Sequence, residues 1–210
     1  MYGRVELKWI TPDADMMIGH IARVSNLKAL PEDDASKLIR FLIKHHHWSP
    51  FEMANMCVEI NTTRDIGRQI LRHRSFSFQE FSQRYAEVEI EEIAMREMRS
   101  KGSTNRQGSI SDGAHGLSEV CLNDTARECF SMYRQAIDNG VAPECARSIL
   151  PEGYTPTRMY MNGTIRSWIH YINERTEEVV QKEHRIIAQQ IAGILYDEIP
   201  DVCHAMWGDD

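Results

Sequence analysis

Between Thr63 and Tyr85 the chain sets arginines at helical spacing and then breaks into an aromatic, serine-rich stretch, RHRSFSFQEFSQRY. Arg72, His73, Arg74 and Arg84 crowd this stretch together with Glu80 and Ser82, and it contains no lysine. Planar guanidinium groups suit two-point recognition of phosphate or carboxylate better than flexible ammonium groups do. The spacing predicts a helix over 63–74, with Thr62 or Thr63 at the N-cap and Asp65 in the first turn. At about 100° per residue Ile66 and Ile70 share one face. Arg64, Arg68 and Arg72 stack opposite, with Gln69 beside Arg72 and His73 at the apolar edge. The helix is expected to hand over to a loop, 75–83, whose Phe76, Phe78 and Phe81 could clasp a flat ring beside an anion. The alternative is an arginine face paired with surface carboxylates. The scarcity of neighbouring acids argues against it.

That cationic cluster sits in an acidic chain of net charge −7, which disfavours a general role in coating nucleic acid. With 210 residues, 42% of them apolar, the chain is long enough to bury a full core. Cys57, Cys121, Cys129, Cys145 and Cys203 form no C-x-x-C pair, and an odd number without framework spacing reads as free thiols in a reducing compartment. The opening MYGRVELKW lacks a basic segment followed by an apolar run, and no stretch approaches membrane-spanning length. The expectation is a soluble, cytoplasmic protein with no membrane partner.

Hydrophobic periodicity outlines the elements. Val5, Leu7 and Trp9 alternate as a strand ended by Pro12, and 14–24 reads as a helix. Pro31 to Asp34 supplies an acidic helix start, followed by the stripe Leu38, Ile39, Leu42 and Ile43. Met56, Val58 and Ile60 alternate as a strand. The Gly- and Ser-rich stretch 100–116 reads as a mobile loop within one domain spanning 1–210. Residues 117–139 read as a helix stopped by Gly140, 158–161 as a short strand, and 163–174 and 176–198 as helices. The fold class expected is α+β, a helix-rich single domain with a small mixed or antiparallel sheet.

Other chemistry-bearing residues weigh less. The triplet His45-His46-His47 cannot converge on one metal from consecutive helical positions, and it reads as a polar helix end. Glu52 in the apolar context PFEM implies a cationic or hydrogen-bonding partner. Ser82 lacks a nucleophile-elbow context, so binding is favoured over nucleophilic attack. Cys145 reads as a small buried hydrophobe, and Trp168 and Tyr171 read as core. Arg147, Arg166 and Arg175 make a second arginine group, with Glu174, Glu177 and Glu178 as possible surface partners.

The order Arg72-His73-Arg74, seven residues, then Ser82 resembles the signature of the flavin-dependent thymidylate synthases. HWSPFEMANMCVEI, 47–60, and ARSILPEGYTPTRMYMNGTIRSWIHYINER, 146–175, are similar to two further segments of that family, and the likeness runs from about Ala22-Arg23-Val24-Ser25 onward. The resemblance implies that family's fold and its reaction. dUMP is methylated to dTMP with methylenetetrahydrofolate as carbon donor, FAD as cofactor and NADPH as its reductant, in a homotetramer with shared sites. It implies a dUMP site of Gln69, Arg72, Glu80, Ser82, Gln83, Arg84, Arg147 and Arg175, with Arg175 and Ser82 at the reacting ring. It implies an FAD site of Ser25, His47, Ser49, Glu52, Arg72, His73, Arg74, Glu80, Asn162, Arg166 and His170. The setting implied is the cytoplasm, or a host's cytoplasm for a phage-encoded copy.

The chain departs from that pattern in three places. Val179 stands where the family often has histidine, with His184 further along VVQKEH. Asn162 and Thr164 compete for one family position, and His170 stands where asparagine is often found. Two rival classes stay open on the residues alone. One is a magnesium-dependent nucleotide hydrolase using Glu87, Glu89, Glu91 and Glu92. The other is an RNA-binding protein stacking bases on Phe76, Phe78 and Phe81.

Overall fold

A computed structural model describes residues 3–24, 35–88, 95–103 and 108–208. In chain order the elements are β1 (Arg4–Ile10), α1 (Ala14–Ala22), α2 (Ala35–Lys44), β2 (Asn55–Thr63), α3 (Arg64–Ile70), β3 (Ser77–Glu80), β4 (Ser100–Lys101) and β5 (Ser109–Ile110). There follow α4 (Gly116–Asp138), α5 (Pro143–Ala146), β6 (Pro156–Thr164), α6 (Ile165–Arg175), α7 (Lys182–Glu198) and α8 (Pro200–Trp207). Two 3₁₀ turns, Ser49–Glu52 and Arg147–Ile149, complete the set.

Four strands form one sheet in the order β1-β2-β6-β3, every pair antiparallel. The expected α+β architecture is therefore present, and the main sheet is antiparallel rather than mixed. β2 reads inward through Met56, Val58 and Ile60, and β6 answers with Met159 and Met161 directly opposite Ile60 and Val58. The alternation expected in β1 fails at its end. A register shift between Leu7 and Trp9 turns Trp9 outward, 48% exposed, and brings Ile10 against the core in its place. β6 is more than twice the length expected of it, because its polar residues face out in alternation with buried Thr157, Met159 and Met161.

Helices α1, α2, α3, α6, α7 and α8, with Phe51 of the first 3₁₀ turn, supply the rest of the larger core. Ile39 and Leu42 of the expected α2 stripe are buried. Of the stripe that periodicity predicts along the last long helix, Ile187, Ile191, Ile194, Leu195 and Ile199, all are buried but Ile194, which packs partly buried against the core. Residues 176–181 are not helical, since α7 starts at Lys182. A further helix, α8, follows Pro200; its first amides, Asp201 N and Val202 N, donate to the Asp15 carboxylate at 2.9 and 3.2 Å. A smaller core of Val88, Ala126, Phe130, Tyr133 and Ala146 lies under α4, which ends at a left-handed Gly140 as the sequence suggested. The stretch 100–116 carries the two-residue ladder β4–β5 and the start of α4, which a loop assignment omits.

The expected helix over 63–74 and the loop after it also change. α3 stops at Ile70, and the segment after it returns to the sheet as β3, paired with β6. Phe76 drives this. Its ring is buried against Trp168, with centroids 4.6 Å apart, and lies over Gly163 of β6. A Cβ at Gly163 would fall inside that ring. Gly163→Ala is therefore expected to destabilise the protein by about 1–3 kcal/mol through overpacking. Urea denaturation of the purified variant measures it, and an unchanged midpoint would show that Phe76 can move aside freely.

Candidate active site

The arginine motif divides at the end of α3. The chain leaves the helix through tight turns, with Arg72 N donating to Gln69 O at 3.3 Å and His73 N to Ile70 O at 3.1 Å. Arg72 and Arg74 point outward, and no side-chain partner holds either among the described residues. His73 turns inward, edge-on to Tyr171 at a centroid distance of 4.9 Å. Arg175, last residue of α6, donates through Nε to His73 Nε2 at 2.8 Å. Residues 102 positions apart thus meet in one hydrogen bond. Arg175 keeps both terminal amino groups without a protein partner among the described residues.

Burial, reinforced by the Arg175 charge, lowers the His73 imidazole to about 4. It is neutral at pH 7, so with Nε2 accepting from Arg175 its proton sits on Nδ1. Behind this pair lies a second histidine. His184 is fully buried; burial, then the Arg175 charge and His73, lower it to about 3. It bonds Tyr171 Oη at 3.0 Å through Nε2 and Gln69 Oε1 at 3.2 Å through Nδ1. Gln69 Nε2 in turn donates to Gln181 Oε1 at 2.7 Å. Gln69 and Arg175, both sequence candidates, therefore share one polar cluster with His73.

A second region lies along α6. A cavity of about 690 Å³ is lined by Glu52, Arg166 and His170 of the sequence candidates, together with Trp48, Ser75 and Ser167 among others. The partner expected for Glu52 is Arg166, through a direct Nη1–Oε1 contact, although Glu52 is about half exposed rather than buried. Ser167 Oγ donates to Ser75 O at 3.4 Å, tying α6 to the motif segment. His47 and Ser49 flank this cavity in sequence without lining it, whereas His46, in a left-handed conformation, does line it. Of the two competitors on β6, Thr164 is used structurally, its Oγ1 accepting from Ser167 N at 3.2 Å at the start of α6. Asn162 Oδ1 is buried without a hydrogen-bond partner among the described residues.

The remaining candidates gather beyond β3. Glu80 Oε1 receives Thr157 Oγ1 at 2.8 Å and Arg64 Nη1 at 3.3 Å. Arg68 pairs with Glu152 at 2.5 Å, so two of the three stacked arginines do have carboxylates, supplied from distant parts of the chain. Ser82 Oγ accepts from Arg84 N at 3.4 Å, and exposed Arg84 pairs with Glu144 at 3.2 Å. Gln83 is buried with Nε2 unpaired. Arg147 is exposed beside the smaller core and meets no ion-pair partner among the described residues, and it makes no bond with Arg175. Cys145 is exposed, against expectation, because Ala146 is the residue that α5 turns inward. Trp168 and Tyr171 are core, as read. Ser25, Glu89, Glu91 and Glu92 lie outside the described residues.

The aromatic clasp does not form: Phe76 is core, while Phe78 packs on the larger core and Phe81 on the smaller one. That removes the stacking platform on which the RNA-binding alternative rested. Sequence reasoning also missed Arg99, Gln181 and Glu183. Arg99 donates to both Glu183 oxygens at 2.8 and 2.9 Å, and Gln181 Nε2 donates to Glu183 Oε2 at 3.0 Å. Only the density of polar residues in VVQKEH hinted at Gln181 and Glu183, and nothing local pointed to Arg99.

This fold, with the arginine motif joined to the end of α6, defines a recognised class. The family model of the thymidylate synthase complementing protein matches residues 6–201, and the chain belongs to that family. It is 43% identical over 193 residues to "Flavin-dependent thymidylate synthase" of Synechocystis sp. (strain ATCC 27184 / PCC 6803 / Kazusa), covering 90% of this chain and 88% of the relative. It is 41% identical over 197 residues to "Probable flavin-dependent thymidylate synthase" of Paramecium bursaria Chlorella virus 1, covering 92% and 90%. Among solved structures it resembles the UMP/dUMP methylase PolB from Streptomyces cacaoi bound with 5-Br dUMP, with TM-score 0.82 and 27% identity over 96% of this chain and 93% of that one.

The two neutral histidines carry a stability signature. Each binds a proton in the unfolded chain below 6.5 but resists it when folded, down to about 4 for His73. The unfolded state then holds more protons, so stability falls as pH drops through that window. Below 4.5 the loss continues as Glu183, which is held at about 2 when folded, is neutralised in the unfolded chain. Urea midpoints measured across the range are expected to decline steadily toward acid; a flat profile between 6.5 and about 4 would contradict a neutral His73.

Proposed function

We propose that this protein is a flavin-dependent thymidylate synthase, which methylates dUMP at C5 to give dTMP. The observation that carries the reading is the Arg175–His73 hydrogen bond at 2.8 Å, which joins the two motif segments of the family resemblance in one site. Family membership over residues 6–201 and the likeness to a dUMP methylase support it.

The residues fit the flavin cofactor. The cavity beside Arg166 offers a guanidinium for an anionic pyrophosphate, serine hydroxyls, and the rings of Trp48 and His170 for a flat heterocycle. The orphaned Asn162 Oδ1 suits a ring N–H. FAD would be held by Glu52, Arg166, His170, His73, Arg74 and Asn162, with Ser25, His47, Ser49, Arg72 and Glu80 completing its contacts. Bound FAD supplies the electron-transfer chemistry that no side chain can.

The chain's own residues bind and orient the nucleotide. Arg72, Arg84 and Arg147, with Ser82 Oγ, meet the phosphate, and Gln69, Glu80 and Gln83 fix the nucleoside. Arg175, oriented through Nε by neutral His73, directs its terminal amino groups at a pyrimidine carbonyl and stabilises the negative charge that grows there as C5 is activated. Ser82 sits at the same substrate as a hydrogen-bonding group rather than a nucleophile.

Methylenetetrahydrofolate supplies the carbon and NADPH the reducing equivalents. Arg147 belongs with the smaller core and Arg175 with the larger, which is consistent with a homotetramer whose sites take residues from two chains. The setting is cytoplasmic; among the described residues no helix is long and apolar enough to cross a membrane. The protein acts as one domain.

Two outcomes test this. Purified protein with FAD is expected to show a bound-flavin spectrum that shifts on titration with dUMP. FAD lost on desalting, with or without dUMP, would overturn the reading. Arg175→Ala is expected to lower kcat by roughly 10²–10³-fold, the range for loss of one charge-stabilising donor. Near-normal turnover would remove Arg175 from the chemistry.

A further inference from the structure

Gln69 is the one proposed nucleotide ligand whose amide is already engaged by protein at both ends. Its Nε2 donates to Gln181 Oε1 at 2.7 Å, and its Oε1 meets His184 Nδ1 at 3.2 Å. The direction of each bond follows from an ion at the far end. Arg99, with a side chain only 9% exposed, grips both oxygens of Glu183. Burial alone would raise that carboxyl; the Arg99 bonds, an amide at the start of α7 and Gln181 together hold it at about 2. An ionised carboxylate only accepts, so Gln181 must present its nitrogen to Glu183 and its oxygen to Gln69. Gln69 then presents its nitrogen to Gln181 and its oxygen to His184. His184 must donate from Nδ1 and accept at Nε2, leaving Tyr171 Oη as the donor at 3.0 Å. Every amide and ring in the row has one allowed orientation.

Resting on the function proposed above, we propose that Gln181, anchored by the Arg99–Glu183 ion pair, and His184 are positioning residues that hold the Gln69 amide in a single orientation toward dUMP. One N–H and one lone pair of that amide remain for the nucleotide, at a fixed angle. The anchor lies outside the site, on the segment that carries Arg99, so the hold on the amide comes from a part of the chain that touches no ligand. An amide released from this row could rotate by half a turn and offer the nucleotide an oxygen where it needs a nitrogen.

The test is the FAD-bound protein carrying Gln181→Met, which keeps the length and apolar stem and removes both hydrogen bonds. dUMP titration by flavin absorbance is expected to give a roughly tenfold weaker Kd, with FAD affinity unchanged and KM for dUMP raised more than kcat is lowered. In the Gln69→Ala background the same substitution is expected to change dUMP affinity less than twofold, because Gln181 acts through Gln69. Equal dUMP binding by Gln181→Met and wild type, or full additivity with Gln69→Ala, would overturn the inference. Should Gln181→Met not accumulate folded, His184→Phe removes the donor at the other end of the amide, and the same cycle with Gln69→Ala decides. Wild-type protein that binds FAD but ignores dUMP would instead sink the proposed function, which separates the two failures.

Discussion

The hydrogen bond from Arg175 to a neutral His73 is the constraint on which the site depends. It joins the last residue of α6 to the turn after α3, and so brings the motif segment to the far end of the chain. The bond requires an unprotonated imidazole, because a charged one would offer the guanidinium no acceptor and would add a like charge beside it. Burial provides this. Tyr171, Phe76 and His184 surround His73 closely enough that the charged form is disfavoured before Arg175 is counted. The packing of the core is thus what makes the polar contact possible.

That packing has its own geometric condition. β3 can add to β6 only if Phe76 reaches the core between them, and Phe76 reaches it only because Gly163 presents no side chain there. With Phe76 in place, α3 ends at Ile70, His73 lies inward, and Arg72 and Arg74 stay outside with no side-chain partner among the described residues. One motif therefore divides: its histidine and first phenylalanine build the interior, and Arg72 and Arg74 stay at the surface. In this acidic protein, cations on α3 itself find carboxylates, as Arg64 does with Glu80 and Arg68 with Glu152. Arg72 and Arg74, just past the helix end, have no such partner among the described residues, whereas Arg84, further along the motif, pairs with Glu144.

Two members of the second arginine group sit on different packing units. Arg175 ends α6 on the larger core, whereas Arg147 follows α5 on the smaller core under α4. α4, which covers the smaller core, leaves Leu117, Val120 and Leu122 exposed along its other side.

Much of this was legible in the residues themselves. Alternation in β2, the stripes of α2 and α7, the stop at Gly140, and the core placement of Trp168 and Tyr171 all follow from periodicity, because local burial patterns are written at local spacing. The Arg-His-Arg spacing likewise named its residues without a structure. Tertiary structure alone decided the rest, since each remaining feature depends on partners far away in the chain. It set the end of α3 by the fit of Phe76 over Gly163, turned Trp9 out through a bulge against β2, and committed Thr164 to the start of α6 while leaving Asn162 Oδ1 without a partner among the described residues. It also aligned Arg99, Glu183, Gln181, Gln69, His184 and Tyr171 into one row from four separate stretches of sequence. Sequence specifies which groups can donate and accept. Only the packed fold, by bringing them within 3 Å or so and excluding water, decides which of them must.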